Sequence, residues 1–355
     1  MKKIKIGDRW VGEDHPCYFV ADIGASHDGD LGRAKMLIQM AAEAGADAAK
    51  FQNFRAAKIV SEYGFKTMDG QMSHQASWSK SVFKVYEDAS LSFDWTPDLK
   101  TTCDEVGIHY FSSPYDFGAV DMLEPYVPAY KIGSGDITWV EMLRYIAGKG
   151  KPVILATGAS TIGDVQRAVD EIRMINQELI LLQCNTNYTA SLDNFDHIHL
   201  NVLKTYTALY PDIVIGLSDH TPGHATVLGA VALGANVVEK HFTDDRSREG
   251  PDHPFSMDPV SWREMVDRTR ELERAMGSPN KHVAANEADT VVVQQRCVRA
   301  SRDISAGELF TRDMLDVLRP APVDAVRPYE IEEVIGMKAI VDIPFGEALN
   351  WRMLG

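Results

Sequence analysis

Two lysines and two histidines carry the chemistry this chain can do. Lys50, Lys131, His220 and His241 each stand near the end of a short apolar run. Lysines ringed by hydroxyls suit a small, multiply charged anion, because a buried ammonium needs a carboxylate or phosphate partner. Read as neighbours, Lys50 and Lys131 form such a site. They can instead pair with Asp22, Asp136 or Glu239, or one can form a Schiff base. His220 and His241 end successive runs, so two imidazoles can share a divalent metal. The other reading is one general base and one structural histidine. Further polar groups end the same runs: Asp22, Gln52, Ser113, Tyr115, Ser134, Asp136, Thr157, Asn185, Tyr188 and Ser218. Cys184 reads as a small buried hydrophobe. Thr161–Gly163 reads as a helix start with a weak phosphate signal. His15, His74 and His282 read as loop residues.

The elements that position these groups repeat. Eight apolar runs, 18–24, 47–52, 108–114, 129–135, 152–158, 179–185, 213–220 and 237–243, alternate with helical patterns. Continuous apolar runs are expected of parallel strands buried on both faces. Asp30 caps a helix with apolar Leu31, Ala34, Leu37, Ile38 and Ala41, and Gly45 stops it. Thr161–Ile175, Gly223–Gly234 and Asp258–Met276 read as further helices. Eight βα units over roughly 250 residues predict an α/β TIM barrel over 1–276, with the chemistry at the C-terminal strand ends. An open doubly wound sheet is the alternative, but the first turn reads GASHDG and lacks the dinucleotide fingerprint. The stretch 53–107 is too long for one helix, and Phe54–Trp78 has no clear period. A long insertion there is expected to cover the site.

Composition bounds the class. The 355 residues are 45% hydrophobic and 25% charged, an ordinary globular mix. With 36 Lys and Arg against 51 Asp and Glu, the net charge is −15, and no basic run suggests nucleic acid. No CxxC pair occurs among the four cysteines, and the N-terminus lacks a signal-peptide core. No run is long enough for a membrane span. A cytoplasmic protein with reduced thiols is expected. The polar stretch 277–290 reads as a linker. The tail, 291–355, has strand-like pieces (VVVQQRCVRAS, KAIVDIP). With 8 basic and 10 acidic residues it reads as a small β-rich domain, not a basic arm.

The segments ADIGASHDGD, AGADAAKFQ, FSSPYD, AYKIGSGD, GLSDHT and EKHFTDDRSREGPDHPFSMDP resemble the sialic acid (nonulosonic acid) synthase family. The tail, with SAGELFTRDML and LRP, resembles that family's antifreeze-like (SAF) domain. The resemblance implies condensation of phosphoenolpyruvate with an open-chain N-acetylated amino sugar, such as N-acetylmannosamine. It implies a divalent metal on His220 and His241, Mn2+ foremost, with Mg2+ or Co2+ as alternatives. Phosphoenolpyruvate would meet Lys50, Ser113, Lys131 and Ser218, with the strand-end groups Ser134, Thr157 and Asn185 beside them. The sugar would meet Tyr115, Tyr188 and Asp252, with Asp136 alongside. Arg319 would reach the partner's site across a domain-swapped homodimer. Asp22 is assigned to proton handling.

The chain departs from the family pattern at several of these motifs. Asp22 and Asp136 stand where the family usually has Glu, shortening the carboxylate reach by about 1.5 Å. SHDG replaces NHNG, Ala156 replaces a serine, CNTNY shifts an Asn, and APVDAV replaces a Gly-rich turn. These changes bear on the acceptor more than on the reaction. An unacetylated aldose phosphate acceptor is one alternative, and a non-catalytic sugar-binding homologue is the other.

Overall fold

The computed structural model describes residues 2–68, 75 and 78–355. The loop position expected for His74 lies outside them. The chain divides into two compact units, Met1–Gly277 and Ser278–Gly355. Among the described residues no helix is long and apolar enough to cross a membrane.

The first unit is a parallel barrel. Its strands are β3 (Tyr18–Asp22), β4 (Ala48–Asn53), β5 (His109–Pro114), β6 (Tyr130–Ile132), β7 (Val153–Ala156), β8 (Leu179–Cys184), β9 (Val214–Asp219) and β10 (Val237–His241). Parallel ladders join β6 through β10 in order, and β10 returns to pair with β3. β3 pairs with β4 and β4 with β5, while β5 and β6 lie side by side. Helices alternate with the strands. Leu31–Glu43 begins at Asp30, whose Oδ1 accepts the Arg33 amide at 2.7 Å, and it ends before Gly45 at φ +95°. That φ is open to glycine at little steric cost, so the chain can turn back into β4. Pro259–Met276 begins at Asp258, which closes a capping box with Ser261.

Side chains alternate across the barrel wall, and this alternation decides which residues reach the site. Val20, Ala48, Phe111, Ala129, Ile154, Leu182, Val214 and Val237 fill the barrel interior. Their strand neighbours Ala21, Ala49, Tyr110, Tyr130, Leu155, Leu181, Ile215 and Val238 pack against the helices. The sequence reading missed an antiparallel hairpin, β1 (Lys3–Ile6) with β2 (Arg9–Gly12), ahead of the barrel. Its Ile4, Ile6 and Val11 join the interior cluster and close the barrel end opposite the strand C-termini.

The second unit is small and irregular. β11 (Cys297–Ala300) pairs antiparallel with β12 (Leu315–Leu318), and isolated bridges tie Arg299 to Ala348, Ile304 to Ile343 and Ala339 to Leu354. The expected strand VVVQQRCVRAS forms only in its second half, because Ala288–Gln294 is helical. The expected linker is likewise partly helical, from Ala285 onward. Glu287 caps the Ala284 amide at 3.2 Å, and the Val292 carbonyl accepts the Ala321 amide at 2.8 Å, so this segment is tied into the tail.

Candidate active site

The same alternation carries charged side chains to one end of the interior. Asp22, Lys50, Ser113, Lys131, Ser218, Glu239 and His241 share parity with interior residues of their strands, and His220 follows Ser218 by two. Lys50 and Lys131 are not on neighbouring strands: β5 lies between β4 and β6. They converge across the interior instead. Lys50 Nζ donates to Asp22 Oδ2 at 2.6 Å and lies 3.9 Å from Glu239 Oε1. Lys131 Nζ lies 3.1 Å from the same Glu239 oxygen, and Ser218 Oγ donates to it at 3.4 Å. All four charged side chains are at least nine-tenths buried. Burial pushes the Lys50 ammonium down, but Asp22 and Glu239 outweigh it and hold its pKa above the ordinary lysine value. The pairing alternative from the sequence is thus the arrangement present, with Glu239 shared by both lysines. Ser113 Oγ, buried beside them, has no protein partner. A buried donor without a protein partner, on the strand between those that carry the two lysines, is a place an anion would satisfy.

The imidazoles stand next to this cluster, with ring centres 5.5 Å apart. His220 Nδ1 lies 2.8 Å from the Asn185 carbonyl, so that nitrogen carries the proton and Nε2 presents a lone pair. His241 Nε2 lies 3.3 Å from Asp22 Oδ2, and its Nδ1 is 3.6 Å from Asp252 Oδ2. Burial holds both imidazoles below the ordinary histidine pKa; for His241 the neighbouring His220 and Lys50 add to it. Two neutral, buried imidazoles beside a carboxylate are a donor set that fits a divalent ion. Among the described residues no group of three or more His, Cys, Asp or Glu is arranged to hold a metal ion, so the protein donors brought together here are the two imidazoles.

Aromatic rings cover the imidazoles. Tyr188 packs edge-on against His220 with centroids 4.3 Å apart, and Phe255 against His241 at 4.8 Å. Above them lies a cavity of about 170 Å³ lined by Gln52, Phe54, Trp78, Tyr86, Tyr115, Tyr188, His241, Asp252 and Phe255. The long stretch after β4 supplies Phe54, Trp78 and Tyr86, so the insertion covers the barrel mouth as expected. Asp252 accepts the Ala25 amide at 2.7 Å, and burial, with Asp22 adding to it, pushes its pKa up to about 7. Asp136 is pushed up to about 6 by burial, with Lys131 opposing.

Two expected residues, Thr157 and Asn185, turn their side chains away from the lysine cluster. Thr157 follows Val153 and Leu155 in parity, so it faces the helix layer. Its hydroxyl bonds the Leu182 carbonyl at 3.0 Å and Tyr206 at 2.9 Å, not the lysine cluster. Asn185 turns its amide to the His197 carbonyl at 3.2 Å, and only its backbone carbonyl meets the site. Ser134 Oγ accepts the Gly158 amide at 2.8 Å, in the wall beside Cys184. Thr161 starts its helix as a capping residue shared with Asp164. All four cysteines are free and buried, and burial pushes the Cys184 thiol up to about 11. Arg319 is exposed in the second unit, after β12. Three groups went unassigned in the sequence reading. Glu239 and Gln52 were visible as strand-end polar residues. The third is the link from Asp28 to His253 (2.9 Å) and Arg248 (2.7 Å), which fastens the loop bearing Asp252 and has no local sequence signal.

Comparison with known proteins bears on this arrangement. The chain is 35% identical to human N-acetylneuraminate-9-phosphate synthase, over 94% of this chain and 92% of that protein. It is 32% identical to N,N'-diacetyllegionaminic acid synthase of Legionella pneumophila, over 96% and 95%. Among solved structures, the N-acetylneuraminic acid (sialic acid) synthetase of Leptospira borgpetersenii superposes with a TM-score of 0.71 at 28% identity, covering 81% of this chain and 95% of that one. A SAF domain matches residues 295–355. With residues 37–281 matching the NeuB family, and synthases of sialic-acid-type sugars as full-length relatives, the chain belongs to the NeuB family of sialic acid synthases, with a C-terminal SAF domain.

Proposed function

We propose that this enzyme condenses phosphoenolpyruvate with an open-chain N-acetylated amino sugar, using water and releasing phosphate to leave a nonulosonic acid. The observation that carries this reading is the convergence of two buried lysines and two neutral imidazoles at one end of the barrel. Lys50 and Lys131 bind the phosphate and carboxylate of the enol phosphate, and the Ser113 and Ser218 hydroxyls orient it. Carbon 3 of the enol phosphate attacks the aldehyde carbon, forming the new carbon–carbon bond, and the aldehyde oxygen takes a proton. Asp22, in contact with Lys50 and His241, manages that proton. Water adds at carbon 2 and the hemiketal phosphate collapses, breaking the carbon–oxygen bond to give the keto acid and inorganic phosphate. The lysines offset negative charge throughout. A divalent ion on His220 and His241, Mn2+ before Mg2+ or Co2+, would supply Lewis-acid polarisation of the aldehyde oxygen. Tyr115, Tyr188, Asp136 and Asp252 receive the sugar. Arg319 completes the site of a partner subunit in a domain-swapped dimer, as the family resemblance implies.

Four measurements check this reading. With phosphoenolpyruvate and N-acetylated hexosamines, product mass should show a new carbon–carbon bond with one phosphate released per turnover. Lys50→Ala and Lys131→Ala should each lower kcat/KM for phosphoenolpyruvate about tenfold or more, the loss of a charge-assisted contact of about 1.5–3 kcal/mol. Unchanged kinetics would return the lysines to a structural role. His220→Ala and His241→Ala should each lose bound metal, read by elemental analysis of the purified proteins as well as by rate; full retention in both would move the metal elsewhere. Inactive Lys131→Ala mixed with inactive Arg319→Ala should regain part of the activity after subunit exchange, since a mixed dimer holds one intact barrel facing one intact arginine. No recovery in proven heterodimers would remove Arg319 from the partner's site.

A further inference from the structure

If His220 and His241 share a metal, as proposed above, the protein has to hold two imidazoles from two strands at one spacing. Backbone pairing stops short of that. The ladder between β9 and β10 runs from Gly216 opposite Val237 to Asp219 opposite Lys240 and ends there. His220 lies one residue past β9, and His241 pairs with Asp22 on β3. The Asn185 carbonyl orients the His220 ring from the β8 side, away from His241. Something else must tie the two strand ends together.

The last pair of the ladder does so from behind. Asp219 and Lys240 share parity with Leu217 and Val238, so they point toward the helices. Their side chains are almost wholly buried and joined as an ion pair. Lys240 Nζ also donates to the Thr221 carbonyl at 2.6 Å. Asp219 Oδ1 accepts the Thr221 amide at 3.2 Å. Its Oδ2 accepts the Thr221 and Thr226 hydroxyls at 2.8 and 2.7 Å, which adds an anchor in the first turn of the helix Ala225–Ala232. His220 is thereby bracketed. The residues before and after it are both bonded to Lys240, and Lys240 is the residue before His241. An apolar pair of similar volume would fill this wall at equal or better stability. It would not hold a chosen carbonyl and carboxylate at set distances and angles, as hydrogen bonds from one ammonium do.

We propose that Lys240 and Asp219 are positioning residues for the metal. Their buried pair and its bonds to Thr221 set the spacing of His220 and His241, while neither residue touches the ion or a substrate.

The test reads metal binding and folding separately, on full-length protein stripped of metal. Co2+ is titrated into the wild type, Asp219→Asn and the double variant Asp219→Asn with Lys240→Met. Visible absorption reports the coordination, and His220→Ala identifies the signal that belongs to the site. Thermal unfolding of the metal-free proteins reports the fold. Asp219→Asn keeps an acceptor oxygen and drops the charge; the double variant leaves no buried charge unpaired, so it should fold. Both should bind Co2+ at least about tenfold more weakly than the wild type, with a changed absorption band. The metal-free double variant should unfold close to the wild-type temperature. Wild-type affinity in the folded variants overturns the inference and leaves the metal reading standing. Affinity lost only in step with thermal stability, down to a variant that does not fold, makes the pair a structural tie and overturns the inference as well. A wild type that takes up no Co2+ overturns the metal reading and this inference with it.

Discussion

Two ammonium groups inside a barrel set the terms for everything around them. An isolated buried charge costs several kcal/mol, so Lys50 and Lys131 can stay ionised in the interior only beside fixed carboxylates. Asp22 and Glu239 are those carboxylates, and the barrel's register delivers them. Asp22 stands opposite Lys50 on the adjacent strand, and Glu239 stands opposite Ser218. A one-residue slip of β4 or β10 would turn Lys50 or Glu239 toward the helices and leave its partner unpaired. The apolar interior layers and the N-terminal hairpin plug hold that register from the other end. The four charges sum to zero, so the resting cluster is satisfied while its donors remain in place for an anion.

A second lysine–carboxylate pair shows what the same chemistry looks like without a site. Lys240 and Asp219 bond to each other one residue away from Glu239 and Ser218, but on the helix side of the wall. Thr221 and Thr226 complete the hydrogen bonding of Asp219. The two pairs differ in facing direction and in orphaned donors. The interior cluster opens to the mouth and has the unpartnered Ser113 hydroxyl and the imidazole pair beside it.

Much of this was legible in the sequence, and the failures have physical causes. Eight apolar runs gave the barrel, and Asp30, Thr161 and Asp258 marked their helices because capping is a local interaction. The strand-end residues gave most of the site. Thr157 was misplaced because its strand-end position was weighed without its parity; counting by twos from Val153 would have turned it outward. Asn185 was misplaced because a loop side chain answers to whatever lies nearest, here the His197 carbonyl. Glu239 was seen only as one candidate partner, since nothing local says that two lysines from strands apart in sequence meet on one oxygen. The Asp28–His253 link joins residues 225 positions apart and had no sequence signal at all. The hairpin did have one: KIKI and RWVG, parted by Gly7 and Asp8, carry a strand-like pattern.

The central claim is that Glu239 balances the lysines until an anion takes them. Calorimetric titration of phosphoenolpyruvate into the wild type and Glu239→Gln, without acceptor, tests this most directly. Removing the shared carboxylate leaves the cluster one charge more positive, so the variant should bind phosphoenolpyruvate more tightly at low salt, with the gain shrinking as salt rises. Unchanged or weaker binding by a folded variant would contradict the account and make Glu239 part of the substrate's own binding site.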